Sequence, residues 1–365
     1  MLTRLGMTLS KTEDGWTVKP PSYRFDLAIE EDLIEEIGRM IGYDTIPKDR
    51  GRAVSVLGAS TEANVELDRA CDMLVDRGYH EVVTYSFIDG DLEARIVPER
   101  TPITLANPIS SDMSVMRQSL WPGLLVTAQR NAARQRDDLR LFELGPQFAP
   151  DLGESYSETS ILAGLATGAV SPEPWDGTGR MLDFHDVKGD VEAVLGLTGS
   201  ADEFRFVPAP HAALRPGQSA RILRGEREVG WLGALHPKHE KYFELRAPVF
   251  LFELHATDSF LTSVPKFSQY SRYPSIRRDL AVVVDEEVTV GALREVVKQS
   301  AGPLLDSVIV FDLYRGRGID ATRKSVALGL ILQDASRTLT DEDADQVVAS
   351  VRDRLTRDLG ATIRT

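Results

Sequence analysis

The stretch PSYRFDLAIEEDLIEEIGRMIGYDTIP, residues 21–47, constrains the fold strongly because both ends of its helix are marked. Proline breaks a helix, so Pro21 excludes one directly upstream. Gly42 and Pro47 end the periodic region, as glycine and proline commonly do after a helix. The pattern therefore predicts a helix from about Ile29 to Ile41. Its apolar side chains fall on one stripe, which we expect to face the core: Ile29, Leu33, Ile37, Met40 and Ile41.

Three carboxylates on this helix, Asp32, Glu35 and Glu36, lie at i, i+3 and i+4 and therefore on one arc of its surface. Asp26 lies just before the helix and can fold back towards them. Oxygen ligands of this kind suit Mg²⁺, which takes one or two carboxylates and keeps several waters. Acidic side chains near a helix start are also favoured by the helix dipole without any metal. The spacing leaves both interpretations open.

The length and charge of the chain limit its organisation and its partners. A chain of 365 residues is too long for one ordinary core, so two or three domains are expected. With a formal charge of −14, the chain is not expected to attract nucleic acid by its overall charge, and any RNA contact must be local. The single cysteine, Cys71, is predicted to be a small core residue. With no long apolar run or signal sequence, the protein is expected to be cytoplasmic, without a membrane partner.

The motifs RFD, EEDLIEEI and GYDTIP, within residues 24–47, closely resemble the signature of bacterial phenylalanyl-tRNA synthetase beta subunits. The resemblance continues along nearly the whole chain. It implies that residues 1–50 are the C-terminal part of an acidic, magnesium-associated domain, and that the chain is a fragment lacking the N-terminal half of the subunit. It also implies Mg²⁺ at the contact with the alpha subunit, associated with four residues: Asp26, Asp32, Glu35 and Glu36.

Residues 51–262 alternate helical and strand patterns in the manner of an α+β domain built on an antiparallel sheet. This region resembles the class II synthetase-like domain of the family. Arg140 and Glu143 lie in a strand similar to the second class II motif, but no later glycine-rich element with an arginine follows, as an ATP site requires. We therefore expect the domain to be catalytically inert, with Arg140 and Glu143 forming a structural cross-strand pair or interface.

The last part of the chain reads as a linker, residues 263–271, followed by a ferredoxin-like domain, residues 272–365. The pattern has the order βαββαβ. It resembles the ferredoxin-fold anticodon-binding domain of the family. The predicted elements are a strand at Asp279–Val284, a helix at Val290–Ser300, strands at Leu305–Tyr314 and Lys324–Gln333, a helix at Thr340–Leu359 and a short final strand.

Basic and aromatic side chains in this domain are candidates for tRNA contact. Sheets of this kind stack unpaired bases on aromatic rings and hold phosphates with arginine. Alternatively, aromatic residues such as Phe311 pack in the core and the arginines only aid solubility. The candidates for tRNA binding are Arg277, Arg278, Tyr314, Arg315 and Arg317.

Together, the residues and the resemblance predict a non-catalytic beta subunit of a phenylalanine–tRNA ligase. The chain would support the ATP-dependent attachment of phenylalanine to tRNA(Phe), while the alpha subunit carries out the chemistry. The resemblance implies a heterotetramer of two alpha and two beta chains. Two alternatives stay open: a self-sufficient class II aminoacyl-tRNA synthetase, and a protein-interaction scaffold that binds no RNA.

Overall fold

The computed structural model describes residues 1–48, 63–151, 155–171, 175, 179–264, 266–267 and 270–364. The chain divides into two compact units, Met1–Ser60 and Thr61–Thr365. The predicted domain boundary between residues 50 and 51 lies outside the described residues, and so do positions 265, 268 and 269 of the predicted linker. Within the described ranges, no helix is both long and apolar enough to cross a membrane.

The described residues form helices and strands with the following bounds. The helices are α1 (Glu30–Ile41), α2 (Leu67–Asp76), α3 (Gly90–Ile96), α4 (Trp121–Ala132), α5 (Phe184–Gly196), α6 (Pro237–Tyr242), α7 (Ala256–Ser259), α8 (Val290–Ala301) and α9 (Asp341–Leu359). The strands are β1 (Thr8–Lys11), β2 (Trp16–Lys19), β3 (His80–Glu81), β4 (Phe87–Ile88), β5 (Val115–Met116), β6 (Leu139–Pro150), β7 (Tyr156–Thr167), β8 (Phe204–Pro208), β9 (Leu214–Arg224), β10 (Arg227–Leu235), β11 (Val249–His255), β12 (Ile276–Asp285), β13 (Leu305–Tyr314), β14 (Arg323–Leu332) and β15 (Thr362–Arg364).

The first unit contains the hairpin of β1 and β2 and the helix α1, which ends at the predicted residue and begins one residue later than expected. Its small core consists of Leu2, Met7 and Leu27, with Leu33 and Ile37 of α1 packed against them. The predicted core stripe was therefore correct only in its centre. Its other members, Ile29, Met40 and Ile41, are exposed. The core of this unit covers only the middle of the helix, because a short two-stranded ribbon offers little apolar surface.

The second unit contains a seven-stranded sheet in the order β3-β6-β7-β11-β10-β9-β8. All of its pairs are antiparallel except β3 with β6, which agrees with the predicted antiparallel sheet. Side chains alternate between its faces, as along β11: Phe252 packs with α2 and α5, and Leu251 packs with α3, α4 and Phe243, which follows α6. Cys71 packs against the α2–α5 side, as predicted. The sheet therefore lies between two helical layers.

The C-terminal sheet has the order β13-β14-β12-β15, and all of its pairs are antiparallel. Together with α8 and α9 this gives the predicted βαββαβ order of a ferredoxin-like fold. Thr340 caps α9 by accepting a hydrogen bond from Asp343 N, and Gly360 ends the helix with a left-handed φ of 61°. The two helices cover one face of the sheet. The other face is left open.

One acidic side chain is fully buried in the larger sheet domain without complete hydrogen bonding. Glu93 on α3 has no exposed surface. Its Oε1 accepts a hydrogen bond from Gln118 N at 2.9 Å, and its Oε2 has no partner. Burial, with a further contribution from the nearby Glu253 carboxylate, raises the pKa of Glu93 to about 7. The fold therefore favours the protonated form of this side chain.

We expect Glu93→Gln to remove a pH-dependent loss of stability. A glutamate with a folded-state pKa of about 7 binds its proton more tightly than the unfolded chain, whose value is near 4.3. Its contribution is complete below about pH 4.3 and is lost as the pH rises to about 7. From pH 4 to pH 8, the unfolding free energy of the variant should rise by about 3 kcal/mol relative to that of the unsubstituted chain. Urea unfolding at both pH values measures this difference.

The exposed Glu99 provides the control for that measurement. Glu99→Gln removes one carboxylate from the surface, and the large pH-dependent difference in unfolding free energy should appear for Glu93→Gln and not for this variant. Equal pH responses of the two variants would contradict the assignment.

Candidate functional site

The carboxylates around α1 are engaged mainly by arginine. Arg24 donates to both carboxylate oxygens of Asp26, at 2.7–3.1 Å, and to Glu36 Oε1 at 3.0 Å. Arg39 donates to Glu36 Oε2 at 2.7 Å. Hydrogen bonds from Arg24 and then Arg39 lower the pKa of Glu36 to about 2. Asp26 and Glu36 are therefore held as ion pairs with protein cations.

The other two predicted ligands behave differently. Asp32 accepts hydrogen bonds from Ala28 N at 2.7 Å and Ile29 N at 2.9 Å, which cap the start of α1. These bonds lower the pKa of Asp32. Glu35 is exposed on the helix surface. Asp32 thus accepts from backbone amides at the start of α1, as the N3 acid of a capping box does.

These four carboxylates do not fit a metal site built by this chain alone. In the part of the chain that the structure describes, no three or more histidine, cysteine, aspartate or glutamate side chains come together so that they could hold a metal ion. The guanidinium groups of Arg24 and Arg39 occupy the oxygens that a cation would need. Both arginines were missed as partners, although Arg39 lies three residues after Glu36, a spacing typical of helical ion pairs. A role of the four carboxylates in Mg²⁺ binding stays a prediction.

Glu143, in the strand similar to the second class II motif, belongs to a buried ion pair. Arg117 Nη1 donates to Glu143 Oε1 at 2.7 Å, and both side chains are almost fully buried. Thr84 Oγ1 donates to the other carboxylate oxygen at 2.7 Å, and Arg117 Nε donates to Pro146 O at 2.8 Å. Gly145 leaves room for the guanidinium, since a Cβ there would lie 2.4 Å from Arg117 Nη2. No oxygen of Glu143 is left for a ligand.

Arg140 has a separate structural role. Its guanidinium donates to the carbonyl oxygens of Arg77 at 2.9 Å and Val170 at 2.7 Å. The expected pairing of Arg140 with Glu143 was wrong, because the two side chains lie in one strand and contact different neighbours. Both residues serve the packing of the domain. Neither is positioned to hold the phosphates of a nucleotide.

The segment from Val82 to Phe87, after the edge strand β3, exposes apolar side chains at alternate positions. Val83 is 90% exposed and Tyr85 is 72% exposed. Two of the intervening side chains face the domain, because Val82 packs against the core that contains Leu141 and Thr84 Oγ1 donates to Glu143. This exposed segment, together with Ile109, which is 88% exposed, is suited to burial against another protein chain.

The open face of the ferredoxin-like sheet carries a set of aromatic and basic side chains. The Arg277 guanidinium lies 5.1 Å from the ring centroid of Phe311, and that of Arg364 lies 5.6 Å from the ring of Tyr314. Phe311 is 49% exposed. A shallow depression of about 510 Å³ lies beside these groups, lined by Ala281, Asp312, Tyr314, Ser325, Ala327 and Arg364. Stacking platforms of this kind suit unpaired bases.

The five predicted tRNA-binding residues are divided between different surroundings. Arg277 and Tyr314 lie on the open face. Arg278 pairs with Asp341 and Asp345 of α9, which covers the opposite face. Arg315 pairs with Glu286, and the carbonyl of Arg317 accepts a hydrogen bond from Tyr314 Oη at 3.2 Å. The structure therefore does not place the five residues in one group.

Phe311 and Arg364 were missed as candidates for this face. The packing of Phe311 in the core, considered as an alternative, is wrong because its ring lies on the open face beside Arg277. A bulge in β13 between Val310 and Asp312 interrupts the alternation of side chains, so alternation along the strand does not predict the face on which Phe311 lies. The register of β15 brings Arg364 opposite Ala281. The short final strand gave no sequence signal for that pairing.

Comparison with known proteins identifies the family. The chain matches the tRNA synthetase B5 domain over residues 1–43, the phenylalanyl tRNA synthetase beta chain CLM domain over 46–256 and the ferredoxin-fold anticodon binding domain over 271–364. It is 50% identical over 364 residues to a phenylalanine–tRNA ligase beta subunit of Methylococcus capsulatus, and 45% and 46% identical to those of Pseudomonas syringae pv. tomato and Nitrosococcus oceani. Each match covers 100% of this chain and 46% of the relative, so the chain spans about half the length of these proteins. The chain belongs to the family of phenylalanyl-tRNA synthetase beta chains.

Proposed function

We propose that the chain acts within the beta subunit of a phenylalanine–tRNA ligase and binds tRNA through the open face of its ferredoxin-like sheet. The observation that carries this proposal is the pairing of Arg277 with Phe311 and of Arg364 with Tyr314 on one exposed sheet face. Aromatic rings stack unpaired bases, and arginine contributes charge without reading sequence. The match to an anticodon-binding family over residues 271–364 supports tRNA as the ligand.

In this proposal the chain carries out no chemical step of the reaction. Glu143 and Arg140 are fully engaged by Arg117, Thr84 and backbone carbonyls, which leaves no free arginine and carboxylate in the strand similar to the second class II motif. The ATP-dependent attachment of phenylalanine to tRNA(Phe) would then take place on an alpha subunit. This argument favours an accessory role over a self-sufficient class II synthetase.

Three domains are proposed: residues 1–50, residues 51–262 and, after a linker at 263–271, residues 272–365. The second of these would contact the alpha subunit through the exposed segment at Val83 and Tyr85, because burial of apolar side chains stabilises association. A heterotetramer of two alpha and two beta chains in the cytoplasm is the assembly that we propose.

A magnesium-linked contact would require ligands from outside this chain. Asp26 and Glu36 are neutralised by Arg24 and Arg39, so Mg²⁺ would have to displace an arginine or complete its shell with groups of a partner. We therefore propose that Mg²⁺ acts at this acidic helix only in the complex.

Two neighbouring arginines test the tRNA-binding face. Arg277→Gln should weaken binding of a tRNA(Phe) transcript and lower the slope of log Kd against log salt by about 1, because it removes one phosphate contact. Arg278→Gln removes the same charge from the helix-covered face, so it should leave both quantities unchanged. Both arginines have carboxylate partners, Asp279 for Arg277 and Asp341 and Asp345 for Arg278, so the two variants differ in the face of the sheet. Phe311→Ala should weaken binding by roughly 5- to 150-fold, the loss of one stacked base. Equal effects of Arg277→Gln and Arg278→Gln would contradict the assignment.

The metal proposal predicts that Mg²⁺ leaves the unfolding free energy of the isolated chain unchanged at matched ionic strength. Urea unfolding with and without Mg²⁺ measures this, since an ion present at a hundredfold excess over its Kd would add about 2.7 kcal/mol. Arg24→Gln frees both carboxylate oxygens of Asp26 and Oε1 of Glu36, and should create a Mg²⁺ response. In the complex, Asp32→Asn with Glu35→Gln should weaken Mg²⁺-dependent association with the alpha subunit. Stabilisation of the unsubstituted chain alone would show that the site needs no partner.

A further inference from the structure

The helices α3, α4 and α6 cover one face of the seven-stranded sheet and share a single core, to which Ile96, Leu125 and Phe243 belong. Their exposed side and the turns that follow them carry basic residues. We call these the α3–α4–α6 basic surface: Arg95, Arg134, Arg136, Lys238, Lys241 and Arg246. Among the described residues, none of the six forms an ion pair with a carboxylate.

Contacts between the elements bring these side chains to one region. The Arg95 guanidinium lies 3.9 Å from the ring centroid of Tyr242, which joins α3 to α6. The other link is at the end of β7, where Thr167 pairs with Leu139 on one side and Val249 on the other. The turn that carries Arg134 and Arg136 precedes Leu139, and Arg246 precedes Val249. Both segments therefore reach the same end of the sheet.

Several acidic residues of the same segments are directed to backbone amides. Glu240 Oε1 accepts from Val249 N at 3.3 Å, and Asp138 Oδ1 accepts from Ala169 N at 2.7 Å. Asp89 caps α3 by accepting from Asp91 N at 2.7 Å. Exposed acids lie on the same segments, at Asp91, Glu99, Asp137, Asp138 and Glu244, and exposed basic residues outnumber them because Arg100 and Arg130 add to the six of the surface. The exposed side chains of these segments therefore have a small positive excess in a chain whose net charge is −14.

The buried side chain of His239 lies close to the positive charges of the basic surface. Its side chain lies in α6 and is 1% exposed. Burial is the largest cause that lowers its pKa to about 4, and the positive charges of Lys238 and Arg95 lower it further. The region beneath the basic surface therefore disfavours an additional positive charge. An anionic ligand on the outside would be attracted by the same field.

We propose that the α3–α4–α6 basic surface binds the phosphate backbone of a double-stranded segment of tRNA. The identity of the RNA rests on the proposed function. Unpaired lysine and arginine side chains supply positive charges for phosphates along an RNA helix without reading its bases. The stacking of Arg95 on Tyr242 restricts its guanidinium, so less side-chain freedom is lost on binding. This contact is separate from base recognition on the ferredoxin-like sheet.

The test uses the 365-residue chain and a tRNA(Phe) transcript in a series of salt concentrations. The triple variant Lys238→Gln, Lys241→Gln and Arg246→Gln should lower the slope of log Kd against log salt by about 2 to 3, since each lost phosphate contact removes about 0.9. Near 0.1 M salt its affinity should fall at least tenfold. A second triple variant, Arg95→Gln, Arg134→Gln and Arg136→Gln, should have the same effect. Agreement between the two variants would exclude a folding defect of one of them as the cause.

The matched control removes three exposed basic residues that also have no carboxylate partner among the described residues: Arg69→Gln on α2, Arg294→Gln on α8 and Arg352→Gln on α9. It changes the net charge by the same amount and should leave the affinity within twofold. If both basic-surface variants behave like this control, the inference is wrong. If they leave RNA binding intact and abolish co-purification with an alpha subunit, the surface is a protein interface and the inference is equally wrong.

An RNA hairpin without an anticodon loop separates this inference from the proposed function. Both basic-surface variants should weaken binding of the hairpin, whereas Phe311→Ala should affect only the tRNA and leave its salt slope unchanged. Hairpin binding that depends on the basic surface, combined with no effect of Phe311→Ala on tRNA, would overturn the proposed sheet site alone. Binding of neither RNA by the unsubstituted chain would overturn both.

Discussion

The buried ion pair between Arg117 and Glu143 joins segments of the sheet domain that no continuous element connects. Burying two charges is unfavourable unless their hydrogen bonds are completed, and here the guanidinium also contacts Thr84 and the carbonyl of Pro146. Backbone bonds extend the connection, because Arg117 N donates to Ser86 O and Phe148 N donates to Arg117 O. The pair therefore holds the extended segment before β4 against β6. The outward direction of Val83 and Tyr85 follows from this attachment.

Much of the fold could be predicted because its signals are local. The order βαββαβ follows from alternation within each strand, and the cap at Thr340 and the stop at Gly360 fix α9. The apolar stripe of α1 was predicted less well. Helical periodicity shows which side chains share a face but not how much of that face the rest of the domain covers. Leu33 and Ile37 are covered by a small core, whereas Met40 extends beyond it.

The candidate sites were harder to predict because they depend on partners distant in sequence. Glu143 has a predictable position in its strand, but its partner Arg117 lies 26 residues earlier. Arg277 and Arg278 are adjacent and chemically identical, yet alternation along β12 places one on the open face and directs the other to α9. The carboxylates of α1 had a spacing that suits a metal. Two arginines determine the surroundings of Asp26 and Glu36, and one of them, Arg24, lies outside the helix.

The bulge at Phe311 interrupts the alternation of side chains along β13. Before it, Val308 and Val310 face the helices, and after it, Asp312 and Tyr314 line the depression on the opposite face. Even-numbered residues thus change sides within a single strand, because the extra residue shifts the two-residue repeat. Deletion of Phe311 would make the pairing regular, with Val310 and Asp312 still opposite Leu328 and Ala327, and Tyr314 would stay on the open face. The extra residue of β13 therefore adds the Phe311 ring to the open face without displacing the two side chains that line the depression.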